Sequence, residues 1–165
     1  LFSGTVMENI RYGRLEASEQ EVRRAAEAVS ADTVVNKLEQ GYDSPVGEGG
    51  DRLSTVEKQL ISFARAVLAD PRIFVLDEAT SSIDTETEQL IQNAIARLLE
   101  GRTSFLIAHR LSTIRHADVI LVVKDGHIVE QGRHEELLRR QGYYHTLYSR
   151  QFAEEAALRL LENGK

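Results

Sequence analysis

Two short apolar runs, each ending in charged residues, limit the fold more than any other feature. Ile73-Phe74-Val75-Leu76 closes on Asp77-Glu78, and Ser104-Phe105-Leu106-Ile107-Ala108 closes on His109-Arg110. Runs of this length without polar interruption predict strands buried on both faces. Between them, Thr85-x-x-Glu88 is a capping box that opens a helix carrying Leu90, Ile91, Ala94, Ile95 and Leu98 on one side. Strand, helix and strand in this order form a βαβ unit, so the sheet is predicted to be parallel there.

Ligands of open α/β sheets bind beyond the carboxyl ends of the strands, where Asp77-Glu78 and His109-Arg110 both fall. One carboxylate at such a place can hold the water shell of Mg²⁺, and a second can orient a water that attacks a phosphoryl group. An imidazole from the neighbouring strand can stabilise the charge on that group. Acids after a strand also serve simply to cap the next turn. The presence of His109 one strand away favours the chemical reading over that one.

The remaining chain agrees with an α/β fold whose first half is helical. Ser18-x-x-Glu21 and Ser54-x-x-Glu57 are further capping boxes. They predict a helix over 18–30 with Val22, Ala25, Ala26 and Val29 on one face, and a helix from Ser54 to Asp70-Pro71 with Leu60, Ile61, Ala64, Val67 and Leu68 inward. A shorter helix is expected over 32–39, a loop over 42–52 and a short helix near 112–116. Val119–Val123 and Ile128-Val129, separated by Lys124-Asp125-Gly126-His127, predict a hairpin, and helices are expected over 133–140 and 143–161. The formal charge of −6 supplies no global basic field for nucleic acid, and without cysteine neither a disulfide nor a thiolate metal site is possible. His116, His127, His134 and His145 lack metal-ligand spacing, and the five tyrosines are scattered without forming a stacking platform.

These segments together resemble the ATP-binding domain of ABC transporters of the exporter type. Ile73–Asp84 is similar to the Walker B strand and D-loop, and Ile107–Thr113 is similar to the switch-histidine loop. Ser44-Pro45-Val46-Gly47-Glu48-Gly49 resembles the loop that touches the coupling helices of the membrane domain, and Asp125–Gly132 with His134–Leu137 resembles the closing hairpin and helix. The resemblance covers about residues 1–152. It implies the C-terminal part of a P-loop NTPase fold: a helical, signature-bearing subdomain over 1–70, half of the ATPase core over 71–152 and a tail helix over 153–165. It also implies ATP and Mg²⁺ as cofactors, with Asp77 on the metal, Glu78 on the attacking water, His109 on the γ-phosphate, and Ser82 and Asp84 in contacts across a dimer.

Two departures from the family pattern stand out. None of the four lysines lies in Gly-x-x-x-x-Gly-Lys-[Ser/Thr], so the phosphate-cradling loop is missing. In the family it lies upstream, and Leu1-Phe2-Ser3-Gly4-Thr5, which opens without an initiator Met, resembles the segment immediately after the glutamine loop. The expectation is a piece of a longer domain that does not hydrolyse ATP alone. The second departure is Leu53-Ser54-Thr55-Val56-Glu57, which stands where the signature Leu-Ser-Gly-Gly-Gln is usual and where a helix N-terminus meets ATP held by the opposite subunit. Ser54, Thr55, Val56 and Glu57 are thus candidate nucleotide contacts. Val56 puts a β-branched side chain where glycine lets amides approach phosphate oxygens. It is a lesion, a tolerated variant, or the altered signature of one half of a heterodimer.

The resemblance further implies a second ATP-binding domain as partner, in a homodimer or heterodimer, and transmembrane domains engaged through the loop around Glu48. The location it implies is the cytoplasmic face of the cell membrane, and no nucleic acid is expected. Two alternatives stay open: an ABC ATPase of the chromosome-structuring or DNA-repair type, and a non-enzymatic regulatory module built on the same fold.

Overall fold

A computed structural model describes residues 1–77, 85–107 and 115–162. They fall into two compact units, residues 1–106 and 107–165. The first begins with helices α1 (Val6–Arg11), α2 (Glu19–Ala28), α3 (Asp32–Val35) and α4 (Thr55–Ala69), followed by strand β1 (Ile73–Asp77), helix α5 (Thr85–Leu99) and strand β2 (Thr103–Ile107). The second carries strands β3 (Ile120–Lys124) and β4 (His127–Gly132) and helices α6 (His134–Arg140) and α7 (Tyr143–Glu162).

Three helices of the first unit start the same way. Thr5 with Glu8, Ser18 with Glu21 and Ser54 with Glu57 each form a complete capping box, in which the hydroxyl accepts the amide three residues on and the glutamate accepts the amide of the cap. The first box opens α1, a helix absent from the expected elements although Thr5-x-x-Glu8 is its sequence signal. The helix expected over 32–39 is confined to Asp32–Val35, consistent with the side-chain freedom that consecutive Thr33, Val34 and Val35 lose in a helix. At its far end α4 stops on Asp70 in the left-handed conformation, directly before Pro71.

Helix α4 is the centre of the first unit, with α1, α2 and α5 all packed on it. Val6, Ile10, Val22, Ala26, Leu60, Ile61, Ala64, Ile91 and Leu98 are buried there. Burying a large aliphatic side chain of this kind contributes about 1.5–3 kcal/mol, so the helical interior outweighs any surface ion pair. Gly13 lets α1 come close: a Cβ there would collide with the Arg65 carbonyl oxygen.

Strands β1 and β2 pair in one parallel sheet with α5 as the connection. The expectation of two-sided burial needs correction. Both strands alternate: Phe74, Leu76 and Leu106 pack toward the core, whereas Ile73, Val75 and Phe105 are more than half exposed. The physical reason is that, among the described residues, helices cover one face of this sheet, while a parallel sheet ordinarily has both faces covered.

In the second unit β3 and β4 form the expected antiparallel hairpin, with a bulge between Val122 and Val123. Its turn residues Asp125 and Gly126 both have positive φ, which matches the right-handed strand twist. Val122, Leu137 and Tyr144 make a small core. The Glu130 carboxylate accepts the amides of Tyr143 and Tyr144 at the start of α7, at 3.2 and 2.6 Å. The expected helix near 112–116 lies largely outside the described residues.

Candidate nucleotide site

The start of α4 holds four of the residues that the sequence points to. Ser54 is the N-cap, Thr55 and Val56 are the first two helical residues, and Glu57 completes the cap. One Glu57 oxygen accepts the Ser54 amide at 2.7 Å and the Ser54 hydroxyl at 2.8 Å, while the Glu57 amide donates to Ser54 Oγ at 3.3 Å. The first-turn amides of Thr55 and Val56 have no acceptor that the helix itself can supply, so together with the helix dipole they form the anion-attracting end of a 15-residue helix. Val56 is half-buried, with its side chain packed against the core of the first unit. Its bulk is therefore partly directed into the helical interior, which accounts for a β-branched residue being accommodated here without breaking the helix.

The loop that leads into this helix is tied down at its base. Val46 is buried, and its amide donates to the Gly4 carbonyl at 2.9 Å; the Val6 amide donates to the Ser44 carbonyl at 3.1 Å, and Thr5 bridges to Pro45. Beyond Val46, Gly47 takes a positive φ, and the Asp51 carboxylate fills the space that a Cβ would need. Glu48 is left exposed at the tip, six positions before the Ser54 cap.

Asp77 is the last residue of β1 and is exposed, a hard oxygen donor at the carboxyl end of a strand. Glu78, Ser82, Asp84 and His109 lie outside the described residues. A shallow cleft of about 370 Å³, lined by Asp70, Arg72, Glu100 and Arg102, lies at the opposite, amino ends of β1 and β2. Its main feature is structural: Arg102 donates to Asp70 Oδ1 and to the Leu98 carbonyl, both at 2.8 Å, which joins the exits of α4 and α5. This cleft is thus not where the phosphate chemistry is expected.

The ABC transporter family profile matches residues 2–81. The chain is 57% identical over 152 residues to the ABC transporter ATP-binding protein YfiC of Bacillus subtilis, covering 92% of this chain and 25% of that protein. This chain belongs to the ABC transporter family. It is also 52% identical to an ATP-dependent lipid A-core flippase of Desulfotalea psychrophila, over 92% of this chain and 26% of the flippase. A fatty acid ABC transporter ATP-binding/permease protein of Mycobacterium tuberculosis is 56% identical, over 89% of this chain and 23% of that protein. Among solved structures, a bacterial Atm1-family ABC exporter with ATP bound superposes with a TM-score of 0.82 at 46% identity, covering 92% of this chain and 26% of that one. The chain spans about a quarter of the length of these relatives. No helix among the described residues is long and apolar enough to cross a membrane.

Sequence reading passed over Asn9 and Arg65, which the fold brings together from α1 and α4. The available signal was an asparagine among Val6, Met7 and Ile10, on a helix that buries all four.

Proposed function

We propose that this chain is the signature-bearing and Walker B portion of the ATP-hydrolysing domain of an ABC exporter, divided as 1–70, 71–152 and 153–165. The likeness to an ATP-bound exporter at 46% identity supports this reading most strongly. The described residues fit their share of a nucleotide site: an exposed carboxylate at the end of β1 and a helix N-terminus with two first-turn amides. They do not include a phosphate loop, so the fit is that of a composite site completed by other segments.

Bound ATP with Mg²⁺ supplies a phosphoryl group activated for transfer to water. Asp77 is the residue proposed to hold the metal's water shell, Glu78 to orient and polarise the attacking water, and His109 to stabilise charge on the γ-phosphate. Ser54, Thr55, Val56 and Glu57 face the nucleotide of the opposite subunit, and Ser82 and Asp84 contact that subunit. Through the exposed Glu48 loop, closing and opening of the two domains reaches the membrane domains at the cytoplasmic face. The transported substrate is selected by those membrane domains, outside this chain.

The test is to read the gene upstream of Leu1 and assay its full product. A P-loop preceded by hydrophobic spans, with ATPase activity in the purified protein, supports the exporter. A P-loop before a long coiled coil would replace it with a chromosome-type ATPase, and no P-loop would leave a regulatory module.

A further inference from the structure

Asn9 is 2% exposed, and its side-chain amide uses every hydrogen-bonding position it has. Oδ1 accepts the Phe2 amide and Arg65 Nη2, both at 2.9 Å. Nδ2 donates to the Phe2 carbonyl at 2.9 Å and to the Thr5 carbonyl at 3.0 Å. Arg65, reaching from α4, adds a bond from Nε to the Asn9 backbone carbonyl at 2.7 Å. The guanidinium lies 5.2 Å from the Phe2 ring centre and 5.7 Å from that of Tyr12, and the two rings are 4.6 Å apart. Burial lowers the Arg65 pKa, a sign that its charge is partly removed from water.

Three pieces of chain meet in this arrangement. Leu1–Thr5 is held to α1 and α4 by Asn9, and the same segment carries Gly4 and Thr5, which bridge to Pro45 and Val46 at the base of the Glu48 loop. Releasing any one partner leaves a buried amide or guanidinium group unpaired, which costs more than an ordinary hydrogen bond contributes. The contacts therefore hold or fail together.

We infer that Asn9 and Arg65 are positioning residues, forming the joint that makes the Leu1–Thr5 segment and the Glu48 loop move as one body with the signature helix α4. Neither residue is among the proposed nucleotide contacts. Their effect on hydrolysis runs through the orientation of Ser54–Glu57, a consequence that rests on the exporter reading above. The joint itself does not depend on that reading.

Amide hydrogen exchange on the full-length protein tests the joint. The Val6 and Val46 amides report on the loop base, because they bond to Ser44 and Gly4 and not to either side chain of the pair. Arg65→Lys keeps the charge and helix propensity but loses the two-pronged contact with Asn9. Asn9→Asp keeps an acceptor for Arg65 and Phe2 but cannot donate to the Phe2 and Thr5 carbonyls. Each variant is expected to speed exchange at Val6 and Val46 by roughly tenfold while the Leu60–Ala64 amides of α4 stay protected. Unchanged protection at Val46 in both variants, or loss of protection throughout α4 in both, overturns the joint.

In the full-length protein, Asn9→Asp is expected to lower kcat for ATP roughly tenfold with KM for ATP unchanged, with kcat counted per folded protein as measured by circular dichroism so that loss of active enzyme does not enter the ratio. A wild-type full-length protein without ATPase activity overturns the exporter reading, and the exchange result still decides the joint. An active wild type with an Asn9→Asp variant of equal kcat overturns the functional coupling.

Discussion

Glu57 grips Ser54 twice through one oxygen, taking its amide at 2.7 Å and its hydroxyl at 2.8 Å. The carboxylate is thereby engaged by the two donors of the cap residue. A carboxylate in the signature segment thus serves the helix cap, while its negative charge still opposes a phosphate at this helix end.

Val56 then becomes the informative position. Val56→Gly in the full-length protein is expected to raise ATPase turnover, because amides without a β-branched neighbour approach phosphate more closely. The same change removes core packing and helix propensity, lowering stability by about 1–2 kcal/mol. Steady-state phosphate release and urea unfolding measure the two effects. Unchanged turnover would identify Val56 as a tolerated variant.

Glu78→Gln preserves shape but removes the charge proposed to orient water. Turnover in the full-length protein should fall by about 10²-fold or more, with ATP affinity retained. Nucleotide binding measured by equilibrium dialysis beside single-turnover hydrolysis separates the two. Near-normal turnover would rule out Glu78 as the water-activating group.

The 165-residue chain alone should release no phosphate from ATP above the buffer rate, because it contains no phosphate-cradling loop. Robust turnover by the purified chain would contradict the composite-site reading. The exposed Ile73, Val75 and Phe105 also predict binding of an apolar dye by this chain, reduced by Val75→Thr with Phe105→Thr.

The second unit should be most stable between about pH 6.5 and 10. His134 Nδ1 and the Tyr144 hydroxyl share a hydrogen bond of 2.7 Å. Burial, with Arg115 adding to it, lowers the His134 pKa from 6.5, so its contribution is complete above that pH and is lost as pH falls toward the folded value. Burial raises the Tyr144 pKa from 10.0 to about 12, so its contribution is complete below pH 10 and is lost as pH rises toward 12. Near-ultraviolet circular dichroism followed by urea titration across pH checks both limits. His134→Phe should remove the acidic limit and leave the alkaline one.

The order of helices and strands from α2 onward, the starts of α2 and α4, the stop at Asp70-Pro71, the βαβ unit and the Asp125-Gly126 hairpin were legible in the sequence. All depend on contacts between residues a few positions apart: a hydroxyl and a glutamate three residues on, a proline without an amide hydrogen, a glycine in a positive-φ turn. The catalytic and signature candidates were legible by resemblance and by their places at strand and helix ends, although Glu78, Ser82, Asp84 and His109 lie outside the described residues. Tertiary structure alone decided the one-sided cover of β1 and β2, the packing of Val56 into the core, and the meeting of Asn9 with Arg65. Those outcomes depend on which surfaces meet across stretches as long as the 56 positions between Asn9 and Arg65, and no local pattern encodes a partner that distant.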